Sequence, residues 1–142
     1  MAIFDIRANA AEDITFDTAD SGQLIFQIAA SMQASDNEGE TWTFKDQDGN
    51  TLDTATDTVT SVTCDFGTTA LTIPAGETKK IYIYSDTSEL TYTSTYGADT
   101  IQVWMDDGTS NSVKFGVDSS TATDESAIIL KGDIFAGTLK AS

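Results

Sequence analysis

The sequence predicts an all-β protein: a single β-sandwich of about ten short, mostly antiparallel strands. Thr is the most abundant of the 142 residues, and β-branched side chains such as that of Thr favour a pleated sheet over a helix. Apolar residues alternate with polar ones along much of the chain, and turn-forming residues separate these runs. No long apolar pattern has the helical period of about 3.6 residues. Jelly-roll and immunoglobulin-like sandwiches both fit this pattern.

The first predicted strands lie in the amino-terminal third. Residues 2–8 and 14–16 alternate between apolar and polar side chains, which is typical of strands. Residues 23–30 alternate more strictly, so we expect a central strand there. Residues 31–40 contain only a polar loop sequence with no core anchor.

The clearest local prediction is a β-hairpin. Residues 41–45 and 51–53 form its two arms, and residues 46–50 contain Asp, Asn and Gly suited to a reversal. Residues 53–60 are too polar for a buried strand and are interpreted as an edge strand or loop. Three residues are expected on one buried face of the hairpin: Trp42, Phe44 and Leu52.

The rest of the chain continues the alternation without a repeat or linker, so residues 1–142 are interpreted as one domain. A turn is expected at residues 74–77, where Pro and Gly stand between two apolar runs. Further strands are predicted over residues 62–66, 71–73, 79–84, 101–105, 113–117, 128–130 and 134–135, with a closing Leu139.

The charge of the chain excludes several classes of partner. Its formal net charge is -16, with 23 acidic and seven basic residues. A negative field of this size opposes binding to nucleic acid and to anionic lipid, since both require clustered Lys and Arg. It favours solubility and cation binding. No partner nucleic acid is expected.

Catalytic chemistry has little support in the composition. The chain contains no His, and its one cysteine, Cys64, alternates with Val62 and Phe66 and is therefore predicted to be a core residue. Paired carboxylates can serve a glycosidase, but 23 acids produce close pairs by chance. We therefore predict that the protein is not an enzyme.

The acidic hairpin turn has two interpretations. Oxygen ligands at alternate positions suit a hard cation, so the sequence predicts a Ca²⁺ site. The alternative is a turn built from turn-forming residues, because Thr51 stands where an EF-hand has Gly and no flanking helices are expected. Residues 106–111 and 118–125 are weaker acidic candidates. The candidate ligands are Asp46, Asp48, Asn50, Asp53 and Asp57.

A membrane anchor or export signal is not evident. No stretch approaches about 18 apolar residues, which predicts no transmembrane segment. The first 13 residues lack a basic region followed by an apolar run, so they do not resemble a signal peptide. Either the chain functions without export, or Met1 replaces a removed signal. The composition favours an extracellular or cell-surface location.

Residues 70–86 resemble a hairpin that is frequent in immunoglobulin-like and related β-sandwich modules of bacterial and archaeal surface proteins. The run Ile-Pro-Ala-Gly-Glu-Thr at residues 73–78 carries this resemblance. Residues 129–139 are similar to a closing strand of such modules. The resemblance covers about a fifth of the chain and implies a place in a surface layer, adhesin or fibre. Such modules usually occur in tandem, whereas this one stands alone.

The predicted function is that of a structural subunit that polymerises into an extracellular filament or surface layer. Residues 1–10 are the candidate donor strand for a neighbouring copy, with residues 9–13 as its tether. The alternative is that this segment is the first strand of its own sheet. Calcium between copies would offset repulsion of the acidic chains. The candidate assembly residues are Ile3, Phe4, Ile6 and Ala8.

Two other functions remain open. A virion component, such as a capsid-decorating or tail protein, would assemble inside a host cell and need no signal. A carbohydrate-binding module would use aromatic side chains that stack on a glycan. Its candidate residues, also interpretable as core or sheet-face packing, are Trp42, Tyr82, Tyr84 and Trp104.

Overall fold

The fold was determined as a computed structural model that describes residues 1–17, 22–30, 41–58, 60–66, 69–86, 92–93, 97–98, 100–105, 113–117 and 134–140. These residues form an all-β, sandwich-like fold without a helix, which confirms the predicted fold class. Accordingly, they include no helix long and apolar enough to cross a membrane. The strands are β1 (Ala2–Arg7), β2 (Ile14–Phe16), β3 (Gln23–Ala30), β4 (Thr41–Lys45), β5 (Thr51–Thr56), β6 (Ser61–Asp65), β7 (Leu71–Ile73), β8 (Thr78–Ser85), β9 (Tyr92–Thr93), β10 (Gly97–Ala98), β11 (Thr100–Met105), β12 (Val113–Lys114), β13 (Gly116–Val117) and β14 (Ile134–Lys140).

Two larger sheets make up most of the described structure. The front sheet has the strand order β1-β8-β4-β5. In the back sheet, β3 pairs with β6 on one edge and with both β11 and β12 along the other, and β14 lies beyond β11. All these pairs are antiparallel, as the sequence predicts.

The hydrophobic core lies between the two sheets. Phe26 of the back sheet packs against Phe4 and Phe44 of the front sheet, with ring centroids 4.9 Å and 5.7 Å away. Alternate residues of β1, β3, β4, β6, β8 and β11 point toward this core, because successive side chains of a strand lie on opposite faces. The largest fully buried side chains are Phe16, Phe26, Phe44, Phe66, Leu24, Leu52, Ile73, Ile81, Ile83, Val62 and Cys64.

A smaller sheet with the order β13-β2-β7 extends the core. Phe16 of β2 packs against Phe66 and Phe115 at centroid distances of 4.9 Å and 6.0 Å. The strand predicted over residues 113–117 is divided between sheets: its first part pairs with β3 and its last part with β2. Sequence alternation alone did not predict this division.

The front and back sheets approach each other on both sides of the sandwich. On one side β5 lies beside β6, and on the other β1 lies beside β14. The β5–β6 side is held by a direct bond, in which the Asp65 amide donates to Asp53 Oδ2 at 2.7 Å. The first strand of the chain therefore lies between β8, with which it pairs, and β14.

Several predicted elements are confirmed in detail. The hairpin of β4 and β5 forms with its turn at residues 46–50, and Gly49 has a φ of 87° there. Its three predicted core residues are buried. The polar segment at 53–60 begins as edge strand β5, and the turn at 74–77 closes with a 2.9 Å bond from the Glu77 amide to the Pro74 carbonyl. The loop at 31–40 and the strand at 128–130 lie outside the described residues.

Candidate functional site

The candidate assembly strand is β1, the edge strand of the front sheet. Phe4 and Ala8 are buried, Ile6 is half-buried, and Ile3 on the opposite face is 43 % exposed. The structure therefore brings three of the four candidate assembly residues to the core face of the strand. Ile3 lies on the outer face, as the alternation predicts.

Within the chain, β1 pairs with β8 over six residue positions, from Ala2 opposite Ile83 to Arg7 opposite Thr78. On the outer face, Lys80 Nζ donates to Asp5 Oδ1 at 2.7 Å, and both side chains are about half exposed. The hydrogen bond to Asp5, with the attraction of its charge, raises the pKa of Lys80 above its usual value. The strand is held mainly by its ladder and by Phe4, since exposed ion pairs add little.

The connection after β1 is bonded to the turn between β7 and β8. The Gly76 amide donates to the Asn9 carbonyl at 2.6 Å, and the Ala75 amide donates to Asp13 Oδ1 at 2.7 Å. Asn9 Oδ1 also accepts a 2.7 Å bond from the Ala11 amide. The predicted tether is thus ordered by polar contacts and buries little apolar surface.

The acidic hairpin turn is organised around the Asp46 carboxylate. Asp46 Oδ1 accepts bonds from the Asp48 and Asn50 amides at 2.9 Å and 2.8 Å, and Oδ2 accepts one from Asn50 Nδ2 at 2.8 Å. Partial burial by itself would raise the pKa of Asp46, but hydrogen bonds from Asn50, Asp48 and Gly49 together hold it below its usual value. The carboxylate closes the turn by accepting backbone hydrogens.

Two further candidate ligands are Asp53, which lies on β5, and Asp57, which follows that strand. Each accepts hydrogen bonds from a part of the molecule outside the hairpin turn. Asp53 accepts from the Thr54 and Asp65 amides, at 2.8 Å and 2.7 Å. Asp57 Oδ2 accepts a 3.0 Å bond from the indole Nε1 of buried Trp42. Sequence reasoning missed these acceptor roles, because the donors are distant along the chain or lie on the backbone.

The calcium site stays a prediction. Over the described ranges, no group of three or more His, Cys, Asp or Glu side chains is placed to hold a metal ion together. The structure brings Asp46 and Asn50 into contact but directs Asp53 and Asp57 to other donors. The weaker acidic candidates at 106–111 and 118–125 lie outside the described residues.

Cys64 is a core residue, as predicted. Its side chain is fully buried on β6 and joins the hydrophobic cluster between the sheets. Burial raises the pKa of the thiol strongly, and the nearby charges of Asp53 and Asp65 add to this effect. A neutral, buried thiol is unsuited to nucleophilic attack, which requires the thiolate.

The aromatic candidates for sugar binding fall into two groups. Trp42 is 2 % exposed and belongs to the core, and Trp104 is half-buried. Tyr84 is 40 % exposed on the outer face of the front sheet, next to half-buried Tyr82 on the same side of β8. Lys45 Nζ lies 5.9 Å from the centre of the Tyr84 ring, within the range of a cation–π contact.

Comparisons with known proteins give no relative from which a role can be transferred. No protein family, curated protein or solved structure matches this chain. The resemblance to immunoglobulin-like surface modules therefore stays a prediction, and the function must be argued from the described residues.

Proposed function

We propose that the protein is a non-enzymatic structural subunit that assembles into an extracellular filament or surface layer by exchanging β1 between copies. The observation that carries this proposal is the position of β1. It lies at the edge of the front sheet, pairs with β8 alone in that sheet, and supplies the buried side chain of Phe4 to the core. Such a strand can occupy the same place in a neighbouring copy.

The place that β1 occupies has the features of a strand-acceptor groove. Without β1, the edge of β8 would expose backbone donors and acceptors, and the Phe26 ring would lose its 4.9 Å contact with Phe4. Both losses are costly, since an open edge and an uncovered core favour association. The same strand from another copy would restore the six-position ladder and the Phe4 contact.

The connection at residues 9–13 is suited to act as the hinge. Its described contacts with the β7–β8 turn are hydrogen bonds from backbone amides at positions 75 and 76. These bonds can be made equally by the turn of another copy, because an exchanged segment keeps the contacts that it makes within one chain. After exchange, β1 comes from a different copy, but most of the contacts that it makes are the same.

The chemistry of the described residues also agrees with a structural role that depends on contacts between copies. The one cysteine is buried and neutral, and the Asp46, Asp53 and Asp57 carboxylates accept structural hydrogen bonds. Copies with a formal charge of -16 repel one another, so divalent cations between them would favour assembly. A Ca²⁺ contribution predicts that chelation shortens the polymers.

Cysteine pairing tests the exchange of β1. Arg7 lies opposite Thr78, and the bond from the Ala8 amide to the Glu77 carbonyl makes the next pair hydrogen-bonded. Arg7 and Thr78 are therefore a non-hydrogen-bonded pair, with Cα atoms about 4.5 Å apart and within disulfide range. We expect the Arg7→Cys/Thr78→Cys variant, in a Cys64→Ala background, to form disulfides between chains when it assembles.

The readout is a non-reducing gel of assembled protein, with each single-cysteine variant as control. Disulfide-linked ladders that reduction removes support exchange. Disulfides only within monomers, in protein that microscopy shows to be polymeric, would contradict it. Deletion of residues 1–10 provides a second test, since polymers that still form without this segment exclude donation from it.

A further inference from the structure

The outer face of the front sheet differs in charge from the rest of the chain. On its strands, the outward positions carry three of the seven basic residues, Arg7, Lys45 and Lys80, but only one of the 23 acids, Asp5. Asp86 follows β8 at the rim. We call this surface the basic face. It is a positive area on a protein whose formal net charge is -16.

The basic face also exposes large apolar side chains. Apart from Met1, the exposed large hydrophobic residues of the described chain are Ile3 and Tyr84, at 43 % and 40 %. Ile3 lies opposite Tyr82, and Tyr82 lies opposite Lys45, so these side chains form a row across three strands. Aromatic and apolar side chains ringed by charges are typical of the centre of a protein interface.

An acidic surface lies on another side of the same sandwich. There β5 lies beside β6, and the hairpin turn at residues 46–50 leads into the start of β5. Asp48 and Asp65 are exposed, whereas Asp53 and Asp57 are half-buried. The carboxylates of this surface, which we call the acidic side, are Asp46, Asp48, Asp53, Asp57 and Asp65.

We propose that the basic face of one copy binds the acidic side of a second copy. Opposite charges on two different surfaces of one chain favour a head-to-tail contact over a symmetric pairing of like surfaces. A head-to-tail contact that does not close into a ring continues as an open chain of subunits. The inference deepens the proposed function, on which it rests, by naming a second contact beside the exchanged strand.

Complementary charge reversals test this contact. Lys45→Glu reverses one charge on the basic face and changes no residue of the acidic side. Asp48→Lys/Asp65→Lys reverses two charges on the acidic side and changes no residue of the basic face. Neither variant replaces a residue of β1 or β8. We expect each variant alone to associate about tenfold more weakly than the unmodified protein, because like charges then face one another. Mixing the two variants should restore a 1:1 complex through their intact surfaces.

Sedimentation velocity at low and high salt is the measurement. Lys79→Glu is the matched control, because it makes the same charge change on β8 at a half-buried position opposite Ile6, away from the basic face. Association that weakens with salt, is about tenfold weaker in each variant alone and returns on mixing supports the proposal. Unchanged association of Lys45→Glu, or no complex on mixing, overturns it.

Further outcomes distinguish this contact from strand exchange and from sugar binding. If Lys45→Glu still forms the interchain disulfides of the Arg7→Cys/Thr78→Cys pair, strand exchange holds independently of the basic face. If those disulfides never form but salt-sensitive association persists, strand exchange fails and the docking contact stands. If Tyr84→Ser leaves association unchanged but abolishes binding to oligosaccharides on a glycan array, the face binds sugar and the proposal is wrong.

Discussion

At the scale of single residues, several Asp side chains in the described part of the chain bind backbone amides. Asp13, Asp46 and Asp53 each accept bonds from backbone amides at 2.7–2.9 Å, and Asp57 accepts from a buried indole. The sequence showed the abundance of Asp and the turn at residue 46. It did not show which carboxylate meets which amide, because Asp13 and Ala75 are 62 positions apart.

Replacement of Asp46 tests this role of the carboxylates. Asp46→Ala removes the acceptor of three hydrogen bonds, and we expect a loss of about 1–2 kcal/mol in the free energy of unfolding. Because folding lowers the pKa of Asp46 below 3.8, its contribution is full above that pH and is lost as pH falls through the folded-state value. The difference between the two proteins should therefore shrink as the pH is lowered below the ordinary pKa of 3.8.

Urea unfolding at several pH values measures this difference. Asp48→Ala is the control, since it removes the same charge from the same turn, and only its backbone amide takes part in the described bonds of Asp46. A loss of equal size in both variants would contradict the role given to the Asp46 carboxylate and would indicate a general charge effect.

At the scale of strands, alternation predicted most elements because it follows directly from the pleat. The arms of the β4–β5 hairpin and the core position of Cys64 are examples. Alternation does not predict which strands pair with one another. The ladder between β1 and β8 joins residues more than 70 positions apart, and the division of residues 113–117 between two sheets depends on β2 and β3.

Glycine substitutions distinguish two local constraints on these elements. A Cβ on Gly22 would lie 2.6 Å from the Asp17 amide nitrogen and 2.8 Å from Phe16 Cα, whereas a Cβ on Gly49 meets nothing within 4 Å. We expect Gly22→Ala to cost about 2 kcal/mol or more, since backbone must move. Gly49→Ala should cost about 1 kcal/mol, because only its φ of 87° is strained.

Denaturant unfolding of both variants checks this order, and Gly49→Asn provides the control. Asn tolerates a positive φ better than Ala does, so Gly49→Asn should recover part of the loss. Equal stability of Gly22→Ala and the unmodified protein would show that residues 16, 17 and 22 are less closely packed than the structure describes.

At the scale of the whole molecule, the Phe26 ring packs between the two sheets. Phe26 contacts Phe4 and Phe44 on different strands of the front sheet, and it is fully buried. The repulsion expected from a net charge of -16 acts against this packing. The same ring contacts Phe4 of the strand that we propose to exchange, so the packing of Phe26 contributes both to folding and to the proposed assembly.

Truncation of Phe26 is therefore expected to affect both properties. Phe26→Ala should lower the free energy of unfolding by about 3–5 kcal/mol, since it leaves a cavity between the sheets. Phe115→Ala, at a half-buried ring 6.0 Å from Phe16, is the control and should cost less. In the Arg7→Cys/Thr78→Cys background, Phe26→Ala should also reduce interchain disulfides more than Phe115→Ala does, because Phe4 of the arriving strand loses its contact. Thermal melting and non-reducing gels give the two readouts, and an equal loss of stability in both variants would contradict the central position of Phe26.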